Sequence, residues 1–268
     1  MDLPLNRFRR AMASGQTRYG LWLGLPDSTA AEIAAGAGFD WLLIDHEHAP
    51  FELADILAHL RAIAPYDVAP VVRPVDDNPS LLKKLLDIGV QTFLVPMVET
   101  AEQARAIVRA LRYPPSGTRG LGTSLARAAG WGQVPGYLHQ ANDEICLLVQ
   151  VETTAALANL ASILAVDGVD GVFVGPSDLS ASMGHVGDPG HSDVVAAVGG
   201  ALADIAAAGK LAGVLCIDPA LAENYRACGA NFIGVGVDTL ILAQGARRLA
   251  QSFKSGQVPA DVKTPAGY

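Results

Sequence analysis

The chain has 268 residues, of which 50% are hydrophobic and 17% charged, with a formal net charge of −8. That composition, with a mean hydropathy of +0.29, excludes a disordered or fibrous chain, and the negative balance excludes general affinity for nucleic acid. The length is close to the roughly 250 residues of a single α/β barrel.

Short apolar runs alternate with Ala-rich amphipathic runs along the chain. A leading helix over 3–13 is expected to cover the bottom of the fold. The spacing then predicts strand 19–25, helix 29–37, strand 41–45, helix 51–63, strand 69–73, helix 79–88, strand 92–96 and helix 101–111. A long Gly- and Pro-containing segment over 113–143 interrupts the rhythm. It resumes with strand 145–152, helix 154–164, strand 171–175, a loop over 177–192, helix 193–208, strand 212–216, helix 219–228, strand 232–237 and helix 239–253. Asn78-Pro79, Thr100 and Asp218-Pro219 are helix starts, and Gly38, Gly89, Gly209 and Gly229 are helix stops ahead of strands.

Eight β/α units argue for one (β/α)8 barrel, a TIM barrel, over 1–254, followed by a polar tail over 255–268. An open doubly wound sheet is the alternative, but no glycine-rich phosphate loop follows the first strand. The longest run without Asp, Glu, Lys or Arg, 128–142, holds 15 residues with three glycines and a proline. A spanning helix needs about 18–20 apolar residues, so no membrane span is expected. The N-terminus carries Arg7, Arg9, Arg10 and Arg18 with no apolar stretch, unlike a signal peptide. Cys146, Cys216 and Cys228 show no CxxC spacing and read as reduced thiols, so a cytoplasmic protein is expected.

Barrel chemistry belongs at the C-terminal ends of strands. There the sequence places Asp45-His46-Glu47-His48, Arg73, the segment from Pro96 to Glu99, Gln150 and Glu152, Ser177-Asp178, and Asp238. Gln150 and Glu152 are two apart and share a side of their strand, the barrel interior. A buried Glu152 with Asp178 from the next strand makes a hard oxygen site suited to Mg²⁺ or Mn²⁺. Against this stands a plain structural reading, in which Glu152 pairs with Arg73 and Asp178 caps a helix. Backbone amides at Ser177 and Asp178 are free to bind a carboxylate. Arg73 either binds a carboxylate or developing oxyanion, or pairs structurally with Asp45 or Asp76. The histidine cluster after the second strand is a second metal site or a base with an orienting carboxylate. No lysine is placed to project into the barrel, which disfavours imine chemistry. No Gly-x-Ser-x-Gly elbow supports a serine hydrolase.

These residues resemble the metal-dependent (class II) pyruvate aldolases of the 4-hydroxy-2-oxoheptanedioate and 2-dehydro-3-deoxyglucarate aldolase type. The pieces that carry the resemblance are Gly20-Leu-Trp22, Leu42-Leu-Ile-Asp45-His46-Glu47-His48-Ala-Pro50, Val72-Arg73-Pro74, Val95-Pro96-Met97-Val98, Gln150-Val-Glu152-Thr153 and Val174-Gly-Pro-Ser177-Asp178-Leu-Ser180-Ala-Ser182. They come in the family's order and span nearly the whole chain. The resemblance implies Glu152 and Asp178 as ligands of Mg²⁺, Mn²⁺ or Co²⁺. Pyruvate or hydroxypyruvate is the implied ketoacid and an aldehyde its partner. His48, oriented by Asp45, is then the base, and Arg73 stabilises the enolate oxygen. Gln150 and the amides near Ser177 bind substrate, while Trp22 and Leu215 wall the aldehyde pocket. The resemblance also implies a homo-oligomer, commonly a hexamer, with the last helix exchanged between subunits and Asp87 reaching a neighbour's site. His46 and Ser177 depart from the small residues, glycine and alanine, common in relatives, and bear on aldehyde preference. Two other readings remain: a citramalyl- or malyl-CoA lyase-like enzyme, disfavoured by the lack of an extended basic patch, and a non-catalytic barrel.

Overall fold

Eight parallel strands, each paired with its sequence neighbours, close into a barrel. They are β1 (Arg18–Leu23), β2 (Trp41–Asp45), β3 (Ala69–Arg73), β4 (Thr92–Val95), β5 (Cys146–Val151), β6 (Gly171–Val174), β7 (Leu211–Leu215) and β8 (Phe232–Val237). The structure is a computed structural model that describes residues 1–255; the rest of the expected 255–268 tail lies outside the described residues. Around the barrel run α1 (Arg7–Met12), α2 (Ser28–Ala35), α3 (Leu53–Ile63), α4 (Pro79–Ile88) and α5 (Ala101–Leu111). They are followed by α6 (Tyr137–Gln140), α7 (Thr154–Ala158), α8 (Leu160–Leu164), α9 (Pro176–Ser182), α10 (Ser192–Ala207), α11 (Pro219–Ala227) and α12 (Asp238–Ser255). This is the (β/α)8 barrel that the sequence rhythm implies.

Strand alternation builds two apolar layers. Outward residues such as Leu42, Ile44, Val72, Val149 and Val172 pack beneath the helices. Inward residues fill the barrel: Trp22, Trp41, Leu43, Val71, Leu148, Phe173 and Phe232. Phe8 and Met12 of α1 join this inner cluster, with Phe8 edge-on to Phe232 at 5.7 Å between ring centroids. The leading helix therefore plugs the barrel base.

Three of the differences from the sequence reading have a visible cause. The first strand ends at Leu23, because the Gly24 and Leu25 amides donate to the Asp238 carboxylate at 2.8 and 3.1 Å instead of joining the ladder. Asp238 thus ties the β1 end to the start of α12. The helix over 154–164 is two short helices broken at Asn159 (φ −95°, ψ 0°), whose side-chain amide donates to the Glu99 carbonyl at 2.8 Å. The loop over 177–192 opens with α9, started by Pro176 in its first turn. Among the described residues, no helix is long and apolar enough to cross a membrane.

Candidate active site

On three strands the inward column turns from apolar to polar at its C-terminal end. On β2 it runs Trp41, Leu43, Asp45; on β3, Ala69, Val71, Arg73; on β5, Cys146, Leu148, Gln150 and then Glu152. Asp45 and Arg73 are register partners, so their side chains meet. Arg73 Nε donates to Asp45 Oδ1 at 2.9 Å and Nη2 to Oδ2 at 2.6 Å, a bidentate pair. The third nitrogen, Nη1, is 2.9 Å from Glu47 Oε2, and the guanidinium carbon lies 5.9 Å from the Trp22 ring centre. Burial opposes the charge on Arg73, but Asp45, Glu47 and Glu152 outweigh it and hold the guanidinium above its ordinary pKa. The pairing of Arg73 with Asp45 that the structural reading foresaw is therefore present, and it leaves the guanidinium at the strand ends.

The geometry corrects one expectation. Asp45 does not orient the His48 ring. Its Oδ1 accepts the backbone N–H of Glu47 at 3.1 Å and of His48 at 3.4 Å, while both oxygens serve Arg73. It shapes the turn that carries His48. The His48 side chain is 67% exposed at the mouth, and its Nε2 lies 3.7 Å from Glu47 Oε2.

Glu152 is only 2% exposed. Its Oε1 accepts the Met97 backbone N–H at 2.9 Å, and its Oε2 accepts from Gln150 Nε2. Burial raises the Glu152 pKa above the ordinary carboxylate value. The nearby charges of Asp178 and Glu47 add to the rise, against the lowering effect of the two hydrogen bonds. Glu47 is raised for the same first reason, burial, with Arg73 and His48 opposing and Asp45 and Asp178 adding. Among the described residues Glu152 has no ion-pair partner, and Asp178 makes no cap although it stands in the first turn of α9. Ser177 and Asp178 lie exposed at the mouth, and as first-turn residues their amides lack intrahelical acceptors.

Trp22 and Leu215 come together over Gly234, where an added Cβ would meet Trp22 Cζ3 at 2.5 Å and Leu215 Cδ1 at 3.0 Å. Trp22 is buried against Trp41 and Phe173 at 5.6 and 5.4 Å. The Arg73 guanidinium lies over its ring. Asp87 stands apart from the cluster. It lies near the C-terminal end of α4, at the barrel base, with Oδ1 2.8 Å from Arg119 Nη2. Sequence reasoning placed Glu47 only within the Asp45–His48 cluster, and gave no part to the Met97 amide or to the clearance at Gly175. Glu47 was within reach of the same two-residue alternation that pairs Gln150 with Glu152. Met97 adopts φ +53°, a conformation rare outside glycine, to aim its amide at Glu152. A Cβ on Gly175 would sit 2.6 Å from Glu152 Oε2, so only glycine lets the β6–α9 turn pass this close. Neither backbone feature leaves a side-chain signature.

The residues fit a hard divalent cation. Asp45, Glu47 and Glu152 act on the Arg73 guanidinium, and Asp178 lies close enough to act on Glu47 and Glu152, a set rich in hard oxygen donors. Gln150 Oε1 is buried with no hydrogen-bond donor from the protein, so it is free to accept from a ligand or a water. The group His185, His191 and Asp193 on the same face fits less well. Its imidazoles stack face to face at 3.6 Å and 16°, so their in-plane lone pairs do not converge on one point. A cavity of about 370 Å³ at the barrel base, lined by Arg119, Arg127, Trp131 and Tyr137 among others, contains none of the strand-end residues.

A carboxylate-rich mouth on a closed β/α barrel, with a fixed arginine and a neighbouring histidine, has the groups that acid–base chemistry on a small anion needs. Comparison with known proteins narrows this. Residues 18–244 match the model of the HpcH/HpaI aldolase/citrate lyase family. The chain is 56% identical over 268 residues to a hydroxypyruvate/pyruvate aldolase of Pseudomonas aeruginosa, covering 100% of both chains. It is 56% identical over 248 residues to a 4-hydroxy-2-oxo-heptane-1,7-dioate aldolase of Salmonella heidelberg (strain SL476), covering 92% of this chain and 94% of that one. A crystal structure of a family member from Burkholderia cenocepacia J2315 superposes with a TM-score of 0.88 at 39% identity, over 93% of this chain and 99% of the other. The chain belongs to the HpcH/HpaI aldolase/citrate lyase family. It is a carbon–carbon lyase of the aldolase type.

Proposed function

We propose that the protein cleaves 4-hydroxy-2-oxoacids to pyruvate or hydroxypyruvate and an aldehyde, and condenses them in reverse, at a divalent ion held by Glu152 and Asp178. The names of its relatives support the substrate class. The observation that carries the reading is the buried Gln150–Glu152 pair, short of positive charge, beside an arginine fixed by two carboxylates. When bound, Mg²⁺, Mn²⁺ or Co²⁺ supplies Lewis acidity toward the ketoacid's carbonyl oxygen.

The chain's own groups do the rest. The Ser177 and Asp178 amides hold the ketoacid carboxylate, and Gln150 turns its unpaired Oε1 toward the same ligand sphere. Arg73 places fixed positive charge where the enolate oxygen gains negative charge. It is already oriented, so little reorganisation accompanies the reaction. His48, exposed at the mouth, receives the methyl proton. The electron pair of the broken C–H bond forms the enolate, which attacks the aldehyde carbonyl beside Leu215 and Trp22, and the alkoxide so formed takes the proton back from His48. The same reading assigns Asp87 and α12 to an assembly of several copies.

Loss of methyl deuterium from labelled pyruvate in water tests the proposal without knowledge of the aldehyde. Exchange is expected with added Mg²⁺, Mn²⁺ or Co²⁺, to stop with EDTA, and to be abolished in Glu152→Gln. Exchange that survives thorough chelation sinks the metal reading. A matched panel of free aldehydes and CoA thioesters separates the aldolase from a CoA-dependent lyase.

A further inference from the structure

We infer that Glu47 is the positioning residue of the proton-transfer step, its Oε2 anchoring Arg73 on one side and pairing with protonated His48 on the other. This deepens the proposed function and rests on His48 being the base.

Three observations carry it. Glu47 Oε2 lies 2.9 Å from Arg73 Nη1 and 3.7 Å from His48 Nε2, so one oxygen is within ion-pair range of both the fixed guanidinium and the proposed base. That oxygen is buried and has no properly aligned hydrogen-bond donor. Protonation of the His48 ring places a second cation beside this oxygen, in addition to Arg73 Nη1. Finally, Asp45 is committed elsewhere: it grips Arg73 twice and reaches His48 only through the backbone. The carboxylate partner of the imidazole is therefore its sequence neighbour.

The division of labour follows. Proton abstraction breaks the methyl C–H bond, sends its electron pair into the enolate, and moves the proton to the His48 ring. Positive charge then appears on His48 as negative charge appears on the enolate oxygen that Arg73 faces. Glu47 lies between the two cations, Arg73 and the new imidazolium, and screens their mutual repulsion. The other charged groups that act on Glu47 are Asp45 and Asp178. Glu152 also lies near enough to feel its charge. Removing the Glu47 charge is expected to make His48 a weaker base while Arg73 keeps its Asp45 pair.

The test compares wild type, Glu47→Gln, Asp45→Asn and His48→Ala, all loaded with Mg²⁺. Two readouts are used: the His48 titration by NMR on histidine-labelled protein, and the pH profile of pyruvate deuterium exchange. In Glu47→Gln, the His48 midpoint and the acid limb of the exchange profile are both expected to move to lower pH by about half a unit, the scale of one partly exposed opposite charge. Exchange at neutral pH is expected to fall about ten-fold or more. Asp45→Asn is expected to slow exchange without moving the midpoint. An unmoved His48 midpoint in Glu47→Gln, or an equal shift in Asp45→Asn, overturns the assignment. Full exchange in His48→Ala overturns the base reading, and with it the part of Glu47 in proton transfer. The NMR arm tests the Glu47–His48 pair independently of that outcome.

Discussion

Glu152 ends an inward column whose lower members are Cys146 and Leu148, and it carries a charge into that setting with no cation paired to it. Two hydrogen bonds, from Met97 and Gln150, do not offset the burial, so its pKa stands above the ordinary 4.5. The consequence for stability has a definite sign. A carboxyl whose folded pKa is raised binds protons more readily in the native state than when unfolded. Ionised Glu152 therefore opposes folding above its raised pKa, and the opposition fades as pH falls through that value toward 4.5. Glu152→Gln removes the charge, and a flip of the Gln150 amide lets its unpaired Oε1 accept from the new amide. The metal-free variant is expected to melt a few degrees above metal-free wild type at pH 8, since about 1 kcal/mol moves a domain of this size by about 2–4 °C. By pH 5 the gap is expected to narrow, and saturating Mg²⁺ at pH 8 should narrow it by stabilising only the wild type. Melting curves across this pH range check it; a variant less stable than wild type at pH 8 would show that the ionised carboxylate is adequately compensated by the protein alone.

At the scale of elements, the site depends on how closely two strand ends and one turn approach each other. The β6–α9 turn crosses Glu152 at Gly175, where a Cβ would stand 2.6 Å from Oε2 and 3.1 Å from Gln150 Nε2. Gly175→Ala is expected to leave the barrel folded but displace either Glu152 or the turn that carries Asp178. Mn²⁺ affinity measured by calorimetry is expected to drop at least ten-fold, in line with the effect of disturbing groups that orient metal ligands. Unchanged affinity would place Asp178 outside the ligand set. The same turn marks where sequence reasoning stops. The strands were legible because alternation of apolar residues is written into each one, and Gln150 with Glu152 followed from that alternation. Arg73 was legible as the one basic residue assigned to a strand end. The partition of Asp45 between Arg73 and the His48 turn was not, because it depends on the register of β2 against β3. The break at Asn159 escaped notice because its cause, a bond to the Glu99 carbonyl, is long-range. The amide of Met97 and the clearance at Gly175 are backbone properties that no side-chain pattern announces.

At the scale of the whole molecule, one helix leaves several large apolar side chains exposed. Helix α12 extends from β8 with Ile241, Leu242, Leu249 and Phe253 exposed, the last to 76%, and Ser252 its only buried residue. Burying a large apolar side chain is worth about 1.5–3 kcal/mol, so covering these four residues would be favourable. This is the arrangement expected if the last helix is exchanged between copies of the chain. Asp87 gives the assembly a functional test. It sits at the base of its own barrel, paired with Arg119, while the chemistry lies at the opposite, strand C-terminal mouth. It therefore has no route to its own His48, and any part it plays in the reaction belongs to a neighbour's site. Asp87→Asn and His48→Ala are each expected to purify as oligomers with little activity. Mixed after partial dissociation and reassembly, they form some sites with an intact His48 from one chain and an intact Asp87 from the other. Aldol cleavage is expected to reappear in the mixture, and to stay absent when Leu242→Asp and Phe253→Asp are added to both chains to weaken the α12 contact. No recovery from the mixed oligomers would confine Asp87 to its pair with Arg119, as a residue that secures α4 to the 113–143 segment and nothing more.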